Sequence, residues 1–381
     1  MNLTWIAANK FCEEVKDGTH DTPRPKDSGF KLVTSKHINN GVIDPSDAYF
    51  ISEEDYNEIN KRSKVEKWDV LMSMIGNGLG KSAVVSEEPD YAIKNIALFK
   101  VGSEVKAKWL HYFFSSRLGQ RIIYNTLQGS GQPFISLSLL RNFSIPTTDY
   151  SSMEKVVKII SAYDDLIENN KKQIKLLEEA AQRLYKEWFI DLRFPGWETV
   201  PVVDGVPEGW SVGTVELVAQ FKRGKTITKE KSVPGNSPVV AGGLEPAYYH
   251  NESNAKAPVI TVSASGANAG YTRIYYTDIW ASDCSFCDCK MSDSWTFIYC
   301  FLKDSKKTID SLQKGSAQPH VYAKDINALE LKIPQKELLE KFNSTVEAFF
   351  NKIGKLEKQN MAAEETRNRL LSKLMSGEIE V

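Results

Sequence analysis

The sequence predicts an α+β chain of two pseudo-repeated globular domains, each followed by a long helix, with the two helices pairing as an antiparallel coiled coil. Three observations predict it. Val156, Ile160, Tyr163, Ile167, Asn170, Ile174, Leu177, Ala181, Leu184 and Trp188 alternate spacings of four and three, an unbroken heptad seam. The same alternation recurs in Phe342, Val346, Phe349, Ile353, Leu356, Asn360, Ala363, Arg367, Leu370 and Leu374, each 186 residues after its counterpart. Finally, Gly129-Ser130-Gly131-Gln132-Pro133 returns as Gly315-Ser316-Ala317-Gln318-Pro319, and each copy leads to an Ile-Pro just before its helix (Ile145-Pro146, Ile333-Pro334).

A long amphipathic helix cannot bury its own stripe and needs a partner. Each seam carries one asparagine, at different levels. In a parallel, in-register pair Asn170 would face Leu356 and Asn360 would face Ile174. In an antiparallel pair the asparagines face each other. Val156 then meets Leu374, Ile160 meets Leu370, Ile167 meets Ala363, Leu177 meets Ile353, Ala181 meets Phe349 and Trp188 meets Phe342. A buried asparagine fixes register at some cost in stability, so Asn170 and Asn360 are read as the register pair of an antiparallel coil.

Taken in order, residues 1–150 form the first globule. Strands are expected at Phe30–Thr34, Val70–Ile75, Ser82–Val85 and Ile96–Val101, and helices at Glu53–Ser63 and Lys106–Leu127. Turn chemistry is dense over Asp21–Gly29 and Gly76–Gly80. The first long helix occupies 151–190, entered through a Ser151/Ser152 cap and ending near Phe189. The linker 191–207 is rich in Pro and Gly and is expected to lack regular structure. Residues 208–335 form the second globule, with strands expected at Val239–Ala241, Val259–Ser263, Gly270–Tyr276, Ile279–Ser282 and Trp295–Phe301. Residues 336–381 hold the second long helix and a short tail.

The composition describes an ordinary globular protein, with 41% hydrophobic and 25% charged residues and a formal net charge of −1. Any basic surface is therefore local. No run of 18 apolar residues exists, so no membrane span is expected. The first residues, MNLTWIAANKFCEEVKDG, carry acids where a signal peptide requires an apolar run. Five cysteines suit a reducing cytoplasm. Cys284, Cys287 and Cys289 cluster, but His250 and His320 lie too far off for zinc-ligand spacing. They read as small apolar side chains, and no metal or cofactor is expected.

Enzyme chemistry is also missing from the pattern. Gly76-Asn77-Gly78-Leu79-Gly80-Lys81-Ser82 resembles a phosphate loop, but the loop's first glycine would fall at Ile75. A glycine-rich turn between two strands accounts for it better. No adenine-methylation motif of the Asn-Pro-Pro-Tyr type and no nuclease carboxylate cluster stands out.

Two modules held at a fixed distance suit a target with its own repeat, and duplex DNA is one. The first globule offers Thr19, His20, Arg24, Lys26, Lys31, Lys36, His37, Asn77, Lys81 and Gln132. The second offers Lys222, Arg223, Lys225, Asn268, Arg273, Lys314, Gln318 and His320. Lys and Arg contact phosphates, whereas Asn, Gln, Arg and His read base edges. Two other readings stand beside this one: a scaffold presenting two protein-binding modules, and a DNA methyltransferase or nuclease with its own site.

Over nearly its whole length the chain resembles the specificity (S) subunits of type I restriction–modification systems. The resemblance rests on Asp17-Gly18-Thr19-His20 with Thr22-Pro23, Trp68-Asp69-Val70-Leu71 leading to Gly76 and Gly80-Lys81, and the two Gln-Pro segments. It continues through Arg183-Leu184-Tyr185-Lys186-Glu187-Trp188-Phe189, Phe194-Pro195-Gly196, Pro207-Glu208-Gly209-Trp210, the segment Ile279–Phe286 and the tail Leu371–Ile379. It implies two target recognition domains, each reading half of a bipartite double-stranded DNA sequence. It also implies helices that set the gap and dock two methylation subunits, motor–nuclease restriction subunits in the complex, and no catalysis by this chain. The second domain departs from the pattern at its start. Gly-Thr-His is absent there, and Phe221-Lys222-Arg223-Gly224-Lys225 occupies the comparable region.

Overall fold

A computed structural model describes residues 3–39, 41–128, 133–315 and 319–381. The chain divides into two compact units: residues up to Ile167 together with Met361–Val381, and Glu168–Asn360.

Both units are built on one topology. In the first, Ile96–Lys100 lies between Glu14–Asp17 and Val70–Ser73, and Ser82–Val84 closes the four-stranded antiparallel sheet. In the second, Cys284–Asp288 lies between Lys222–Arg223 and Val259–Ser263, and Thr272–Tyr275 closes it. Each unit adds a three-stranded sheet with one parallel pair. Phe30–Val33 runs parallel to Tyr91–Ile93, as Ser237–Val240 runs parallel to Trp280–Ala281. A two-stranded ladder then joins the start of each globule to the residues before its long helix: Thr4–Ala7 with Ser144–Thr147, and Ser211–Thr214 with Glu330–Ile333. Ile145-Pro146 lies on the first of these closing strands, and Ile333 ends the second with Pro334 directly after it.

Strand alternation divides the core of each unit. In the first, Val70, Met72, Ala97 and Phe99 face the helix Glu104–Ser115 through Trp109, Phe113 and Phe114. Leu71, Ala83, Ile96 and Leu98 face the other way, onto Val33, Ile38 and Ile93. In the second, Ile260, Val262, Ile274 and Cys287 share a core with Phe297, Ile298 and Phe301.

The long helices are Tyr150–Tyr185, which runs into a π-helical turn at Lys186–Ile190, and Lys336–Ser376. Their pairing is antiparallel. In the first unit Val156 and Ile160 share a core with Leu371, Leu374 and Met375. In the second, Ala181, Tyr185 and Trp188 share one with Phe342, Val346, Phe350 and Ile353, and the Trp188 and Phe342 ring centroids are 5.7 Å apart. The strict heptad drifts near the globules. Tyr185, Phe350 and Leu371 are buried, where the sequence pointed to Leu184, Phe349 and Leu370, which are only partly so. The reason is a second neighbour: Tyr185 and Phe350 also pack on the globule's own rings at Phe297, Trp295 and Tyr299, so the buried stripe widens beyond a coiled-coil seam.

Four local expectations are corrected. Trp295–Phe301 is helical, within Trp295–Asp304. Every residue from Trp295 to Leu302 is buried, so the run has no polar face to reveal its period. The helix expected over Lys106–Leu127 breaks into Glu104–Ser115 and Arg117–Asn125. Ser116 turns extended and caps the second piece by accepting from Gly119 N at 3.0 Å. The first long helix is capped by Asp149, whose Oδ1 accepts from Ser152 N at 2.9 Å, and that bond holds the Asp149 carboxyl below the usual carboxylate range. The linker contains a hairpin, Val202–Val203 with Val206–Pro207. Asp204 and Gly205 at its tip both have positive φ, the Asp-Gly chemistry of a tight β-turn.

Candidate nucleic-acid interface

In each unit the local sequence brings a glycine turn against the Gln-Pro segment. In the first, Gly76–Gly78 forms a single 3-10 turn between strands Val70–Ser73 and Ser82–Val84. Its Gly76 N donates to Pro133 O at 3.4 Å, while Phe134 bridges to both Ile75 and Gln128. In the second, Gly266–Asn268 forms the same turn, Gly266 N donates to Pro319 O at 3.1 Å, and His320 bridges to Ser265 and Lys314. Gly80 and Gly270 close the two turns with positive φ. This second turn was legible as Gly266-x-x-x-Gly270, 190 positions after Gly76-x-x-x-Gly80.

Around the first turn the structure gathers several of the predicted residues. The Lys81 ammonium donates to Asn39 Oδ1 at 3.0 Å, on the hairpin Ile38–Asn39/Val42–Ile43. The short turn Ser35–His37 carries Lys36 beside Gly78, where a Cβ would sit 3.6 Å from Ser35 O. Lys36 is exposed and pairs with Asp47 at 2.9 Å, holding that carboxyl below its usual range. Asn77 lies in the turn, but its side chain, like Gln132 and Gln318, lies outside the described residues.

Thr19, His20 and Lys26 form a second group. Gly18 makes the close approach that starts it, since a Cβ there would lie 2.4 Å from Ile93 O. Thr19 N then donates to Ile93 O at 3.0 Å, and Thr19 Oγ1 accepts from Asp21 N at 3.1 Å. His20 lies between Asp17 and Asn95. Lys26 donates through its backbone to Phe50 O and leaves its side chain exposed. Lys94, absent from the sequence reading, donates to Thr22 Oγ1.

The second unit repeats this geometry with different chemistry. A Cβ on Gly224 would lie 2.3 Å from Ser282 O, and Lys225 N donates to Ala281 O at 2.9 Å. Gly224 and Lys225 thus occupy the places of Gly18 and Thr19, and Arg223 that of Asp17. Lys222, Arg223 and Lys225 are all exposed, and the Lys225 ammonium lies 5.9 Å from the centre of the Trp280 ring. Asn268 donates to Gly242 O at 3.4 Å. Arg273 donates to Leu244 O at 2.8 Å, pairs with Glu245 and covers the Tyr275 ring. His320 stacks on Tyr322 with centroids 5.9 Å apart and planes 7° from parallel, and Tyr322 is exposed.

The cysteine cluster does not converge. Cys284 and Cys287 are free and buried, and they face different cores of the second unit. Burial pushes both thiols up to about 12. Among the described residues, no helix is long and apolar enough to cross a membrane.

The chain is similar to several known proteins. The family described as the Type I restriction modification DNA specificity domain matches residues 207–364. The type I restriction enzyme MjaIX specificity subunit of Methanocaldococcus jannaschii is 28% identical over 302 residues, covering 73% of this chain and 70% of that protein. A putative MjaX specificity subunit of the same organism is 20% identical over 412 residues, covering 97% and 92%. The HindI specificity subunit of Haemophilus influenzae is 25% identical over 175 residues, covering 43% and 36%. The crystal structure of a type I restriction–modification S subunit from M. genitalium has the same fold, with a TM-score of 0.61 at 16% identity over 98% of this chain and 96% of that one. With the duplicated architecture on which these likenesses fall, the chain is similar in sequence and fold to the specificity subunits of type I restriction–modification systems.

Proposed function

We propose that this chain is the DNA-reading subunit of a type I restriction–modification complex and has no catalytic site of its own. Each unit reads one half of a bipartite duplex target. The paired helices set the gap and dock two methylation subunits, and motor–nuclease subunits complete the restriction assembly. The whole acts in the cytoplasm, where the chromosome lies.

The observation that carries this reading is the duplicated junction of glycine turn and Gln-Pro segment, present once in each unit on one topology. Two equivalent reading surfaces suit a target with two half-sites. Exposed Lys26, Lys36, Lys81, Lys222, Arg223 and Lys225 serve as phosphate contacts in this reading. Thr19, His20, Asn77, Gln132, Asn268, Gln318 and His320 serve as base-edge contacts, and Arg273 shapes the loop that presents its neighbours.

Co-expression with a methylation subunit encoded beside it, followed by long-read sequencing for methylated adenines, tests the proposal. A two-part motif with a fixed gap is expected. A stable complex that leaves the host DNA unmodified would refute it.

A further inference from the structure

We propose that Arg62 is a positioning residue for base reading by the first unit: acting through Asp17, it holds the imidazole of His20 in the orientation in which it meets DNA. The inference rests on the reading of His20 as a DNA contact.

Arg62 lies in the last turn of the helix Glu53–Ser63. Its guanidinium pairs with Asp17 Oδ1. Asp17 is only 4% exposed, and a buried carboxylate is stable only with a counter-charge and further donors. Its second oxygen, Oδ2, lies 3.0 Å from His20 Nε2. The other ring nitrogen, Nδ1, lies 2.8 Å from Asn95 Oδ1. The ring is therefore gripped at both nitrogens, and its exposed carbon edge and ring face, part of the 58% of the side chain open to solvent, are what it presents for packing against a base. An exposed imidazole would otherwise turn freely about its second side-chain torsion. Asn95 is itself set by a left-handed backbone at φ 53° and by its N–H donating to Thr19 O at 3.1 Å.

Among the described residues, the device has no counterpart in the second unit. In the second, Arg223 stands where Asp17 stands, and no helix lies between Tyr248–His250 and Val259–Ser263. The helix Glu53–Ser63 thus gives the first unit an element that grips its recognition loop from outside. Arg62 is half-exposed and could instead meet a phosphate directly, so the test separates the two roles.

Arg62→Ala, Arg62→Lys and His20→Ala are made in the full chain and co-expressed with the methylation subunit. Two readouts are taken: the methylated motif, and the ring-nitrogen NMR signals of His20 in the free chain. Thermal denaturation confirms that each variant folds. Arg62→Ala is expected to move the His20 ring signals and to relax one base position of one half-site about tenfold. His20→Ala is expected to relax the same position, and Arg62→Lys to restore much of the wild-type preference. Uniform loss over all sequences, with the His20 signals unmoved, would make Arg62 a phosphate contact and overturn the inference. Shifted His20 signals in Arg62→Ala, with an unchanged motif in His20→Ala, would overturn the assignment of His20 to DNA and leave Arg62 a structural role only.

Discussion

The Asn170 side-chain amide donates to Asn360 Oδ1 at 2.9 Å and to Gln359 Oε1 at 3.0 Å. Asn170 and Asn360 are 2% and 8% exposed, so each amide exchanges water for the other. A shift of either helix by one heptad would separate the amides and set one of them against an aliphatic side chain, Asn360 against Leu177 or Asn170 against Ile353. A buried amide left without its partner would cost about 1–3 kcal/mol, which makes the pair a register lock. Asn170→Leu alone is expected to destabilise the chain by that amount in chemical denaturation. The double variant Asn170→Leu/Asn360→Leu should recover or exceed wild-type stability and loosen the register. A double variant as unstable as the sum of the singles would show that the two amides are not coupled.

In the first unit a second cross-helix lock joins Asp164 to Arg367 at 2.7 Å, with the Tyr112 hydroxyl donating to Asp164 Oδ2 at 2.6 Å. Tyr112→Phe removes one bond to the half-buried carboxylate, and a loss of about 1–2 kcal/mol is expected. Urea denaturation of the full chain measures it, and an unchanged midpoint would mean that Arg367 alone satisfies Asp164.

His111 links acidity to stability. Its Nδ1 lies 2.9 Å from Ser82 Oγ, and burial pushes the imidazole down to about 4. Between that value and 6.5 the unfolded chain binds a proton that the folded chain refuses. Stability from this group is therefore full above about pH 6.5 and falls with acidity, by at most about 1.4 kcal/mol per pH unit. His111→Gln should flatten the pH dependence of the denaturation midpoint over that window, and an unaltered slope would refute the assignment.

Gly18 and Gly224 make equivalent close approaches to a neighbouring carbonyl. Replacing either by alanine forces the backbone apart, at an expected cost of about 1–3 kcal/mol. In methylation assays Gly18→Ala should weaken reading of one half-site and Gly224→Ala the other. Loss at both half-sites from one substitution would contradict independent reading units.

Salt and spacing test the DNA reading directly. Removing a phosphate contact such as Lys81 or Lys222 should lower the slope of log affinity against log salt by about 0.9 without changing the motif. Inserting seven residues into each long helix adds about 10 Å, which should widen the gap in the methylated motif by about three base pairs. An unchanged gap would show that the helices do not set it.

The sequence by itself determined the duplicated plan, the two long helices and their antiparallel sense. Heptad spacing and one polar residue per seam are one-dimensional signals, and the level of Asn170 against Asn360 permits facing amides in only one direction. It also located the glycine turn and the Gln-Pro segment, because turn chemistry is local. The tertiary structure decided what depends on neighbours remote in the chain. The apolar run from Trp295 reads as a strand, because burial on every side leaves it no polar face to reveal its period, and only the tertiary structure shows it to be a helix. Phe350 displaced Phe349 from the seam because the globule supplies a second packing surface. Arg62 reads as an ordinary surface residue of an amphipathic helix, and only the fold brings it to a carboxylate 45 residues away. Local periodicity is written in the sequence, whereas a charge finds its partner only when the chain closes around it.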